Sequence, residues 1–226
     1  MKAENTNAKK IALFAMLTGL QIVLGLIDRS IMISALPGIR LGLANTVVLY
    51  ALYMLNLKSA IWLVMIKTLT AGVISGSVTA LMCSLCGGFL SLVTMILICR
   101  NGKTGISIGC VCTLAAEIFL LIRFPNPYGE ILKSVILTGC AFLAEVVFVI
   151  LIHSGKTGLV PVTSIAGGIT HNIGQVIAVS LISHTPGLMT VYLPVLIGTG
   201  AAVGLLTGII ADRVIRILHG MGREPV

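Results

Sequence analysis

The sequence predicts an all-α protein, a polytopic bundle of membrane helices in a single transmembrane domain spanning residues 1–226. Three observations carry this. The mean hydropathy is +1.11. Hydrophobic residues make up 57% of the 226 and charged residues only 10%, where a water-soluble domain carries about a quarter. The apolar residues fall in long runs without the strict alternation of a barrel strand. Lipid offers backbone groups no hydrogen bonds, so such runs are helices that satisfy their own. Spans are expected at about 10–27, 38–55, 59–75, 78–99, 106–123, 131–152, 160–183 and 190–212.

The first span follows the polar stretch "MKAENTNAKK". Its apolar run from Ile11 has no small-residue cleavage site after it, so it is expected to be retained rather than removed as a signal peptide. Ala8, Ala12, Ala15 and Gly19 form a track of small residues on it. Such tracks allow close backbone approach, either within the bundle or to a partner helix.

Asp28 and Arg29 end this helix, and Pro37 and Gly38 make the turn into the second span. Arg40 lies just inside the second helix, and Asn45 about one and a half turns deeper. A cation at the positive end of a helix dipole is locally unfavourable and suits an anionic guest.

Lys67 falls near the middle of the third span, about eight residues or ~12 Å from either end. It is too deep to snorkel and must face the bundle interior or a wet cavity. It serves either a ligand or a carboxylate, for which Asp28, Glu117 and Glu145 are the candidates. Gly72 and Gly76 form another track of small residues, read as internal packing. The fourth carries "CSLC", with Cys83 and Cys86 on one helix face. No second pair at zinc spacing and no nearby histidine completes a metal site. All six cysteines read as small packing residues in or at the ends of spans.

The fifth and sixth spans are joined by the turn-rich outer loop "RFPNPYGE", 123–130. "MILICRNGKTGI" (95–106) and "FVILIHSGKTGL" (148–159) echo each other as helix ends followed by a Gly-Lys turn. The phosphate loop that "GKT" suggests lacks its first glycine, since Leu97 and Ile150 stand there.

The seventh span holds "GGITHNIGQVIAV" (167–179). His171 and Gln175 are four apart and share a face, with Asn172 on the adjacent one. Gly167, Gly168 and Gly174 let another backbone or a ligand approach. The cluster reads as binding or gating, against packing as the plainer alternative. Gly200, Gly204 and Gly208 line the eighth span and read as internal packing.

With the N-terminus in the cytoplasm, the inner side receives Lys2, Lys9, Lys10, Lys58, Arg100, Lys103, Lys156, Arg213, Arg216 and Arg223. The outer side receives Arg29, Arg40, Arg123 and Lys133. Ten against four fits the positive-inside rule, with both termini cytoplasmic in a cell membrane. Topology therefore accounts for the net charge of +8, and no nucleic acid partner is needed. Arg40, Lys67 and His171 would make an electropositive cavity open to the outside, suited to a carboxylate or phosphate.

"LPGIRLGLANTVVLYAL", "SLCGGFLSLVTMIL", "GGITHNIGQVIAV" and "YLPVLIGTGAAVGLLTG" resemble the heptaprenyl diphosphate synthase component I family, also called Gx transporter family proteins, over about residues 10–100 and 160–212. That family looks like the substrate-binding S components of energy-coupling factor transporters. The resemblance implies a six-helix core with a solute site near the outer face. It also implies docking of the first helix on a transmembrane coupling protein that carries two ATPases. Carried onto this chain, the site is Arg40, Asn45, His171, Asn172 and Gln175, and the docking track is Ala8, Ala12, Ala15 and Gly19. Residues about 101–158 would then be an inserted helical hairpin.

Two functions follow. The first is a transport subunit binding a small anionic or amphiphilic solute through Arg40, Asn45, Lys67, His171, Asn172 and Gln175. The second is a non-catalytic membrane partner of a heptaprenyl diphosphate synthase. Prenyl transfer needs clustered carboxylates to hold magnesium, and the seven acidic residues, Glu4, Asp28, Glu117, Glu130, Glu145, Asp212 and Glu224, are scattered. The chain is expected to be no enzyme and to use no cofactor. A self-contained secondary transporter would show an inverted repeat, and none is convincing.

Overall fold

The structure, a computed structural model, describes residues 2–30, 42–101, 159–183 and 187–220. These form six helices: α1 (Lys2–Ser30), α2 (Asn45–Met54), α3 (Leu57–Ser75), α4 (Val78–Asn101), α5 (Leu159–Ile182) and α6 (Gly187–Gly220). Five contain a segment long and apolar enough to cross a membrane: Lys10–Ser30, Leu57–Ser75, Val78–Arg100, Leu159–Ile182 and Val195–Ile217. The spans expected at 106–123 and 131–152, the hairpin at 101–158 beyond Asn101, and Arg40 lie outside the described residues.

The second expected span is corrected. Helix α2 has only 10 residues, about 15 Å of rise, or half a bilayer core. Residues 42–44, expected inside it, form a turn instead. Gly42 takes a φ of 88°, a conformation that glycine adopts without a Cβ clash. Its N–H leaves the helical pattern to donate to the Asp28 carboxylate at 2.8 Å, and its carbonyl accepts from Asn45 N at 2.9 Å. At its other end α2 turns directly into α3, whose first turn is capped by Asn56 accepting from Ser59 N at 2.8 Å.

The last helix also outruns its expected end at 212. It continues to Gly220, with Arg216 paired to Asp212 at 2.7 Å one turn back along its exposed face.

Helix α5 is the axis of the bundle. Its spanning window is 67% buried, against 17% for α1. Glycines make this possible. A Cβ on Gly174 would lie 2.7 Å from the Cys86 carbonyl oxygen, and one on Gly87 would lie 2.7 Å from the His171 carbonyl oxygen. The backbones of α4 and α5 therefore touch. On the other side Gly168 meets Gly200, Gly204 meets Ile165 and Gly208 meets Pro161, an antiparallel α5–α6 seam of small residues. The expectation of internal packing for Gly200, Gly204 and Gly208 holds. Gly72 likewise seats Leu81 of α4. Ala8, Ala12, Ala15 and Gly19 are exposed on α1.

One apolar core gathers Leu17, Val48, Leu49, Leu63, Met95 and Ile215 among others. A smaller one joins Ile173 and Val176 to Leu196 and Ile197.

Candidate functional site

Several of the polar residues buried in these apolar helices gather in one place. Lys67 stands ten residues after Leu57 and eight before Ser75, at mid-height of α3. Its ammonium donates to Asn45 Oδ1 at 2.5 Å, in the first turn of α2. Lysine has only donors, so the amide must turn its oxygen to Lys67. That orientation leaves Asn45 Nδ2 buried, with no acceptor among the described residues.

The same α2 entry turn is held from α1. Asp28 accepts from Gly42 N, and the carboxylate is 4% exposed. Lys67 and Asp28 thus grip one short turn from two helices, and both line one small cavity with Gln21, Arg29, Thr70, Ser84 and His171. Among the described residues its lining holds two cations, Arg29 and Lys67, and one carboxylate, Asp28. The cavity measures about 20 Å³, room for about one water molecule. The turn presses on it: a Cβ on Gly42 would lie 3.4 Å from the His171 ring.

His171, Asn172 and Gln175 are all fully buried, but they do not act together. Gln175 Nε2 lies 3.0 Å from His171 Nε2, so the amide donates and the imidazole accepts. This pair sits against Gly87 of α4. Asn172 turns to the opposite side and donates to the Leu196 carbonyl of α6 at 2.7 Å. Of the residues singled out from sequence, Asn45, Lys67, His171 and Gln175 therefore gather on one side of α5, and Asn172 staples α5 to α6. Arg40 lies outside the described residues. Ala8, Ala12, Ala15 and Gly19 stand on the exposed face of α1, away from this cluster.

Two members, Gln21 and Gly25, carried a signal not used above. Gln21, 1% exposed, donates to the Leu63 carbonyl of α3 at 2.8 Å. Gln21, Gly25 and Asp28 are spaced i, i+4, i+7 and so share one face of α1. All three line the cavity.

Among the described residues no group of three or more His, Cys, Asp or Glu side chains could hold a metal ion. What the arrangement offers is hydrogen-bond donors and a cation, screened from lipid: a place for a polar or anionic group.

The family model described as heptaprenyl diphosphate synthase component I matches residues 17–124 and 128–214. The match covers α2 to α5, α1 from residue 17 and α6 up to residue 214, and it also runs through 102–124 and 128–158. No curated protein and no solved structure matches the chain.

Proposed function

This chain belongs to the heptaprenyl diphosphate synthase component I family, and on that premise we propose that it is a substrate-binding membrane subunit. It takes the polar part of a small anionic or amphiphilic solute between α1, α2, α3 and α5, in the manner of the S component of an ATP-driven uptake transporter. The observation that carries this reading is the Asn45–Lys67 pair. A lysine ammonium at mid-height of a membrane helix is costly, and here it is spent on orienting an amide whose own N–H group is left without an acceptor. A solute oxygen would supply that acceptor. With a cavity of about 20 Å³, a solute enters only if the Gly42–Asn45 turn moves off His171.

The family's description favours a second reading, a non-catalytic membrane partner of a heptaprenyl diphosphate synthase. In neither reading does this chain catalyse prenyl transfer, since its seven acidic residues form no aspartate-rich motif.

Affinity purification of the intact chain from its native membranes tests both. The first reading expects a coupling protein with ATPase subunits, and a small-molecule ligand identified by mass spectrometry. It also expects Lys67→Met and Asn45→Leu to lose that ligand. A synthase subunit recovered without ATPases supports the second reading. A ligand retained equally by parent and both variants defeats the site.

A further inference from the structure

An apolar groove of about 360 Å³ runs between α1, α2 and α6. It shares no lining residue with the Lys67 cavity. Leu13, Leu17, Leu20 and Leu24 form its α1 wall, a stripe at three- and four-residue spacing. From Leu13 to Leu24 this wall rises about 17 Å, close to the ~15 Å of hydrocarbon in one leaflet.

The other two walls fix its height. Asn45 is held by Lys67, at mid-height of α3. Leu43 therefore lines the groove near the middle of the bundle, and Val47 and Tyr50 continue the α2 wall towards one end. On α6 the lining runs from Thr207 to Val214, in the half of the Val195–Ile217 span nearest that same end. The groove thus lies in one leaflet. It opens sideways to the bilayer between α1 and α6, where Leu20 and Ile210 at its mouth are 48% and 51% exposed.

The outer end of this half is basic. Lys10 precedes Leu13 by three residues and so extends the leucine stripe of α1. Arg213 follows Ile210 by three residues and adjoins Val214 on α6. Both cations are exposed. Among the described residues neither is ion-paired, and Asp212, beside Arg213, is taken by Arg216.

We infer that the groove seats one acyl chain of an anionic phospholipid from the leaflet at the Lys10 end, with the lipid phosphate between Lys10 and Arg213. Depth, opening and charge select this occupant together. An acyl chain reaches from the headgroup to the midplane, which is the run of the groove from Leu13 and Val214 to Leu43. It enters sideways without leaving hydrocarbon. A spanning helix would need about 30 Å of matching surface, about twice what the groove offers. Basic residues beside the membrane surface attract anionic headgroups, so the head sets which lipid is held. The charge bias expects this end in the cytoplasm, where the leaflet is the anionic one. A seated chain would also fill the space between α6 and α1, the least buried of the described spans.

The test uses the full chain in nanodiscs of phosphatidylcholine with a minor fraction of phosphatidylglycerol. Native mass spectrometry counts the lipid retained after release. Phosphatidylglycerol should be enriched about tenfold or more over its share, and Lys10→Gln and Arg213→Gln should each lower that preference about fivefold. Ile210→Trp and Leu20→Trp fill the exposed mouth of the groove and should each abolish the retention. Thermal unfolding of each variant confirms an assembled fold. A benzophenone side chain at position 210 should label phospholipid when native membranes are irradiated.

Equal retention of phosphatidylglycerol and phosphatidylcholine removes the head site and overturns the inference. So does a preference lost in the glutamine variants but unchanged in the tryptophan variants, which would leave only a basic patch at the surface. An adduct of position 210 with another protein, or with a second copy of this chain, would put a polypeptide in the groove and overturns it as well. The Lys67 cavity is untouched by each of these outcomes, since the variants lie outside its lining.

Discussion

Lys67 of α3 donates its ammonium proton to the side-chain oxygen of Asn45 in the first turn of α2. A cation beside a helix N-terminus is opposed by the helix dipole. The amide oxygen answers this locally, and the Asp28 carboxylate, bound to Gly42 three residues earlier, answers it through the same turn. The short helix α2 is thereby fixed by one polar residue from each of two neighbouring helices rather than by its own length.

A double-mutant cycle measures this coupling. Asn45→Leu takes one acceptor from the buried ammonium and Lys67→Met takes the donor from the buried amide oxygen, each at a cost of about 1–3 kcal/mol. The double variant should recover about 1 kcal/mol or more of the summed loss in equilibrium unfolding of the detergent-solubilised chain. Strictly additive losses would mean the contact contributes nothing.

Gly42→Ala should destabilise the chain by about 1–3 kcal/mol. Its φ of 88° is poorly accessible to alanine. The new methyl would also sit 3.3 Å from the Asn45 amide nitrogen and 3.4 Å from the His171 ring. Because the turn orients Asn45, ligand binding should weaken with it. A melting temperature and an affinity both equal to the parent's would show that the turn relaxes freely.

The glycines of α1 and α4 should respond oppositely to the same change. At Gly87 an added Cβ meets the His171 backbone oxygen at 2.7 Å, so α4 and α5 must part, at about 1–3 kcal/mol. At Gly19 it meets nothing within 4 Å, and the higher helix propensity of alanine should leave stability unchanged or raised by up to about 1 kcal/mol. Thermal unfolding of Gly87→Ala and Gly19→Ala decides it. A loss at Gly19 equal to that at Gly87 would mean that α1 is packed against something in the folded chain at this point.

The long helices were legible because hydropathy is a local property, and runs of about 20 apolar residues have one solution in lipid. Lys67 and the His171–Gln175 pair were legible because a polar group in mid-span needs a partner and a four-residue spacing shares a face. The length of α2 was not. It depends on Gly42 giving its N–H to Asp28, 14 positions earlier, which no local pattern announces. Nor was the direction of Asn172, since a helix wheel shows its face but not that α6 presents the Leu196 carbonyl there. The apolar groove between α1, α2 and α6 was hidden too, because its lining is largely the leucines that any membrane helix would carry.

Orientation is the remaining expectation with a direct measurement. The chain direction of the six helices sets the start of α1, the α2–α3 turn, the end of α4, the start of α5 and the end of α6 at one end of the bundle. Lys10, Lys58, Arg100, Arg213 and Arg216 lie towards that end, whereas Arg29, bonded to Ser75 Oγ at 3.4 Å, lies at the other. Translocation retains basic residues in the cytoplasm, so the end with Lys58 should be cytoplasmic and the end with Ser77 outside. Lys58→Cys should react with a membrane-impermeant maleimide only after the membrane is opened, and Ser77→Cys in intact cells, each compared with the parent's own background. The reverse pattern would invert the map and turn the polar cavity of Lys67 and Asp28 towards the cytoplasm.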